Sequence, residues 1–200
     1  FTDIETAIPI ITAEPPEPSV VGSFDNQSRN LLQVGLKIAY EVKYKIQQKL
    51  QKLVRQWFWN RIGIWKYRWD KNNGFTTECV LSKNMGFDPR ATCKEDCEFM
   101  WENLEDTAEN ILAKFPKKKK ELERYGDFKA NPKAKVKYLE FWGGNGEWVA
   151  WKYQDLIIDK KKNPNLDYEN AQNNLFKQPE FPYILLNVFK GGDETGVYDE

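Results

Sequence analysis

The run NQSRNLLQVGLKIAYEVKYKIQQKLQKLVRQWFWNRIGIWKYRWD, residues 26–70, is long, basic, rich in tryptophan and free of proline. At helical spacing Leu32, Leu36, Ala39, Val42, Ile46, Leu50, Leu53 and Trp57 follow one another in steps of three or four, which places them on one face. Val54, Phe58, Ile62, Trp65 and Trp69 continue the stripe, slightly rotated. The spacing predicts one amphipathic helix, capped by Asn26 or Ser28 and roughly 65 Å long at about 1.5 Å per residue. A glycine at Gly63 weakens its end, and the polar run from Asp70 to Gly74 stops it. A rod of that length outreaches a single small core, so it suits a strut or docking arm.

On the N-terminal side of this run, residues 1–25 hold Pro9, Pro15, Pro16 and Pro18, which favour an extended, proline-rich arm over a helix. Beyond the rod, Gly86 and Pro89 bracket a turn. A second helix is expected after Thr92, with Phe99, Met100, Leu104, Ala108, Ile111 and Leu112 turned inward until Pro116 ends it. Residues 136–153 change rhythm. Val136, Tyr138, Glu140 and Trp142 alternate with Lys137, Leu139 and Phe141 before a glycine-rich reversal, which predicts a β-hairpin. Residues 168–177 suit a short helix, 181–189 a strand, and 161–200 as a whole an extended tail. The expected fold is therefore mainly α with a small β-hairpin (α+β): an arm over 1–25, a helical core with a cysteine-bearing segment over 26–160, and a C-terminal tail.

Basic and acidic residues number 30 each, so no global field draws nucleic acid. The charge is nevertheless segregated, basic over the rod and acidic over 94–110. Histidine is absent, which removes the usual general base and imidazole metal ligand together. Residues 143–146 lack the lysine and hydroxyl of a phosphate loop. Glu102, Glu105, Asp106 and Glu109 could supply paired carboxylates, but on a helix they read better as a charged face turned to the basic rod. Three cysteines without histidine fall short of a structural zinc set, so no metal and no cofactor is expected. A bond from Cys79 to Cys93 or Cys97 would close a loop of roughly 15 to 20 residues and add about 3 kcal/mol. No apolar window approaches the length of a transmembrane helix. Eight tryptophans point to contact surfaces, with Trp57, Trp59, Trp65 and Trp142 as the expected partner anchors.

One short run carries a family likeness. From Cys97 to Asp106 a cysteine stands four positions before Trp101, Glu102 follows, and Glu105 and Asp106 come after Leu104. This resembles the helix of the small redox-regulated linker proteins of the chloroplast Calvin cycle, over ten of 200 residues. Where that family has the other cysteine of its pair this chain has Pro89, so Cys79 or Cys93 would substitute. The family's C-terminal cysteine pair has no counterpart, and regulation of carbon-cycle enzymes is not carried over. The resemblance implies a photosynthetic source and a redox-sensitive or disulfide-pinned helix that binds other proteins.

Together these readings lead to a non-catalytic accessory, linker or scaffold subunit of a large assembly, in a plastid and associated with the thylakoid, with other subunits, a pigment-protein or a membrane surface as partners. Two alternatives stand beside it: a small carboxylate-dependent enzyme, and a peripheral membrane or nucleic-acid binding protein.

Overall fold

Residues 26–70 do not form one rod. In the computed structural model, which describes residues 2–13, 18–23, 25–70, 74–166 and 179–186, they fold as helix α2 (Asn26–Ile38), a π-helical turn (Ala39–Lys43), helix α3 (Ile46–Asn60) and strand β1 (Gly63–Asp70). Lys45 and Arg61 adopt left-handed backbone conformations, φ 48° and 56°, and each breaks the helical path. The strand forms because Trp65, Tyr67 and Trp69 alternate with Lys66 and Arg68, a two-residue period that aromatic side chains fill well. Its hydrogen-bonding needs are met on both edges, by β2 (Gly74–Val80) and β8 (Tyr183–Leu186). The mainly helical expectation is therefore overturned: the described residues hold eight strands in two antiparallel sheets together with six α-helices.

The chain divides into two compact units, one drawn from Phe1–Ser82 with Tyr183–Val188 and the other from Lys83–Pro182 with Phe189–Glu200. In the first unit the sheet order is β2-β1-β8. α3 lies on it, burying Ile46, Leu53 and Val54. Leu53 Cδ1 comes within 3.1 Å of where a side chain at Gly63 would begin, so a residue without Cβ belongs there. Lys49 Nζ donates to the carbonyl oxygen and hydroxyl of Thr77 at 2.5 and 2.8 Å, tying α3 to β2.

An extended arm was expected over residues 1–25, yet Thr2–Ile11 is helix α1. Burial overrides the proline: Ile8 is 1 % exposed, and Arg55 of α3 grips the Glu5 carboxylate at 2.8 and 2.9 Å, which lowers the Glu5 pKa. Residues 14–17, the short helix expected over 168–177 and most of the C-terminal tail lie outside the described residues.

The second unit is a five-stranded meander, β3 (Met85–Phe87), β4 (Phe99–Thr107), β5 (Lys135–Gly143), β6 (Trp148–Tyr153) and β7 (Leu156–Lys162), adjacent in that order. The helix expected from Thr92 is corrected here. Its middle is β4, which pairs with β5 along nine registers from Phe99↔Gly143 to Thr107↔Lys135. A helix starts only at α4 (Ala108–Lys114), where the Thr107 hydroxyl accepts the Asn110 amide at 3.3 Å.

Short helices α5 (Lys119–Leu122) and α6 (Gly126–Ala130) follow, and the buried side chains Ile111, Phe115, Leu122 and Phe128 belong to this excursion. They meet the inward row of the sheet, Phe115 against Tyr138 and Trp151, Phe128 against Tyr153. On the opposite face Phe99, Trp101, Phe141 and Trp148 stack in a row at centroid spacings of 5.6 to 6.1 Å. The hairpin of residues 136–153 forms with the alternation read from its sequence, as the β5–β6 pair inside a larger sheet. Gly146, at φ 90°, lies so close to Glu180 and Phe181 that a Cβ would fall 2.4 Å from the Glu180 carbonyl carbon. Buried Asn163 locks the approach, donating to the Gly146 and Glu180 carbonyls at 2.8 and 3.0 Å.

Candidate docking surface

α2 is built the wrong way round for a helix that serves its own core. The Asp25 carboxylate accepts the Ser28 amide at 2.9 Å and caps it, and these bonds to Ser28 hold the Asp25 pKa below its ordinary value. Its polar side is then tied to the preceding segment. Gln33 Oε1 accepts from the Val20 amide at 2.9 Å, Gln33 Nε2 donates to the Pro18 carbonyl at 2.5 Å, and the Arg29 guanidinium donates to the Gly22 carbonyl at 3.1 Å.

The apolar side faces away. Leu31 is 76 % exposed, Val42 66 %, Val34 59 % and Ile38 56 %, with Leu32 and Leu36 exposed beside them. No residue of α2 is buried, and among the described residues its one extensive element contact is with the π-helical turn that continues it. In that turn the Tyr44 amide bonds to the Ala39 carbonyl five residues back, at 2.9 Å. Gly35 stands in the middle of the apolar side, and a Cβ there would meet nothing within 4 Å.

The four expected anchors are scattered. Trp59, near the end of α3, is exposed, whereas Trp57 is half-buried against Phe58 at 5.0 Å. Trp65 is half-buried in β1, and among the described residues its indole N–H has no acceptor. Trp142 is 2 % exposed and donates to Glu140 Oε1 at 2.9 Å, so it is a core side chain of the second unit.

The carboxylates of β4 and the start of α4 also separate. Glu105 pairs with Lys135 at 3.1 Å, Asp106 accepts from the Thr107 amide and the Asn110 side chain at 2.7 Å each, and Glu109 is exposed. Glu102 is buried directly across from Glu140 in the β4–β5 register. Sequence reasoning puts Glu140 on one face with Val136, Tyr138 and Trp142 but does not single it out as a site. A carboxylate between Tyr138 and Trp142 on an apolar face was the available signal, because such a group needs donors beside it. The structure supplies them: Glu140 Oε1 takes the Trp142 N–H, and Oε2 takes the Trp151 N–H at 3.0 Å. Both oxygens hold indoles of neighbouring strands, which makes the group a clamp across β5 and β6.

All three cysteines are free thiols. Cys79 Sγ donates to the Lys49 carbonyl at 3.1 Å and Cys97 Sγ to the Phe99 carbonyl at 3.0 Å, and burial pushes both pKa values up. Among the described residues no cluster of three or more histidine, cysteine, aspartate or glutamate side chains is placed to hold a metal ion. No helix among them is long and apolar enough to cross a membrane. A groove of about 860 Å³ runs over α4 and α6, floored by Leu112, Pro116, Phe128 and Pro132 and edged by Lys119 and Lys133. Compared with known proteins, the chain matches no family model and no curated relative.

Proposed function

We propose that this chain is a non-catalytic accessory subunit, a linker or scaffold, that docks through α2 and the π-helical turn. One observation carries the reading: the helix spends its polar side on its own chain, and five large apolar side chains of the helix and Val42 of the turn are left facing water. A monomer gains nothing from that arrangement, since full burial of such a side chain is worth roughly 1.5 to 3 kcal/mol and these six keep between 38 and 76 % of their surface exposed. Covering this side on docking would recover it.

The carboxylate-enzyme alternative draws less support, because the best-buried carboxylate already accepts two indole N–H groups. A photosynthetic, thylakoid-associated setting is the most specific form of the proposal. It rests on the Cys97–Asp106 likeness, in residues that here form β4 for the greater part.

The test is size fractionation of a native extract, followed with an antibody, for the natural chain and for Leu31→Asp with Val34→Asp. The natural chain is expected to travel in a large particle and the double variant as a monomer. Equal travel of the two would overturn docking by α2.

A further inference from the structure

We infer that what covers the apolar side of α2 is an anionic lipid surface, on which the helix lies flat. The inference deepens the docking role proposed above and rests on it.

Three features choose lipid over a protein groove or a second copy. The first is width. Taken at about 100° per residue, Val34, Ile38, Leu31, Leu32 and Leu36 sweep roughly 200° of the helix. A partner helix covers a stripe of roughly half that. A helix sunk to its midline in the headgroup boundary covers the whole arc.

The second is charge. Residues 26–45 carry Arg29, Lys37, Lys43 and Lys45 against one acid, Glu41, which lies 4.0 Å from Lys37. The partner is therefore anionic, and two copies laid face to face would bring their basic flanks together. Lysine stems are long enough to cover apolar surface while their ammonium groups reach headgroups.

The third is how the helix is held. Gln33 and Arg29 fasten the polar arc to residues 18–22, so the apolar arc faces outward without any rearrangement of the unit. Gly35 adds a flat place in the middle of that arc, with open space above it.

The experiment is flotation of the full chain with vesicles of phosphatidylcholine alone and of phosphatidylcholine mixed equally with phosphatidylglycerol. The chain should float with the anionic vesicles and about tenfold less with the neutral ones, and added salt should release it. Leu31→Asp with Ile38→Asp should reduce flotation more than tenfold by removing the apolar contact, and Lys37→Glu with Lys43→Glu about tenfold by removing the charge. Unchanged circular dichroism of each variant excludes unfolding as the cause. A depth readout comes from Val34→Trp, whose fluorescence should shift to the blue on anionic vesicles, and from Asn30→Trp on the polar arc, whose fluorescence should not.

Absence of flotation by the natural chain overturns the lipid assignment, as does equal flotation of the charge-reversed variant. Self-association abolished by Leu31→Asp assigns the surface to a second copy and overturns it too. If vesicles fail while Leu31→Asp with Val34→Asp still leaves the native particle, the docking role stands and the lipid assignment alone falls.

Discussion

α2 and α3 come from one continuous amphipathic run and share composition and rhythm, yet α3 buries Ile46, Leu53 and Val54 while α2 buries nothing. The difference lies in what each helix meets. α3 meets a sheet whose near face offers Gly63 and Thr77, so its apolar side closes on the fold and Lys49 finds acceptors. α2 is held to the short segment 18–22 by hydrogen bonds of Gln33 and Arg29 with that segment's backbone, while Val21 of the segment stays 87 % exposed, and so the polar side of the helix is the one fixed to the chain. Amphipathicity thus announces that a face will be covered without saying by what. The contrast turns a pattern shared by two helices into two roles, one internal and one for docking.

The largest expected effect tests the closed helix. Leu53 is 3 % exposed, and Leu53→Ala should cost about 2 to 5 kcal/mol in urea unfolding of the full chain. A cost under about 1 kcal/mol would mean that α3 is no better covered than α2, and the comparison would fail.

The second effect comes from a part-buried contact of the other unit, between buried Tyr153 and exposed Asp127, where pH acts as the probe. Burial, and then the hydrogen bond to Asp127, push the Tyr153 phenol up to about 12 from an ordinary 10.0. The folded state then holds a proton that the unfolded chain releases between these values. Stability from this group is complete below pH 10 and is lost as pH rises toward 12, by about 2 to 3 kcal/mol at most. Tyr153→Phe should flatten that part of the urea-midpoint profile. A decline of the same size in the variant would remove Tyr153 as its source. Nothing comparable is expected from α2, where no acidic group is sealed.

How far the sequence could be read follows from the same contrast. The hairpin at 136–153 was legible because alternation and a glycine-rich reversal are both local signals. β1 and β4 were not, because positions four apart satisfy a helix and a strand alike: Trp65 and Trp69, or Met100 and Leu104, fit either period. The choice was made by strand pairing, of β1 with β2 next in the chain and with β8 far along it, and of β4 with β5 beyond the intervening helices. α1 was hidden behind Pro9, since the burial of Ile8 against α3 has no local signature. At the proposed docking site the helix and its apolar positions were visible, but their exposure was not. Trp142 shows the reverse error, a large aromatic read as an anchor that its own sheet consumes.

The smallest effects are the most discriminating for the open helix. Gly35 lies mid-helix with room for a Cβ, so Gly35→Ala should stabilise α2 by about 1 kcal/mol through helix propensity alone, seen as higher helical content and slower amide exchange over residues 26–38. Leu31→Ala, at the most exposed leucine of the helix, should change the stability of the isolated chain by no more than about 0.5 kcal/mol. Set against Leu53→Ala, it compares the same truncation on two helices of the same run. A Leu31→Ala cost approaching that of Leu53→Ala would show the apolar side of α2 already covered within the chain, and the surface available for docking would be gone.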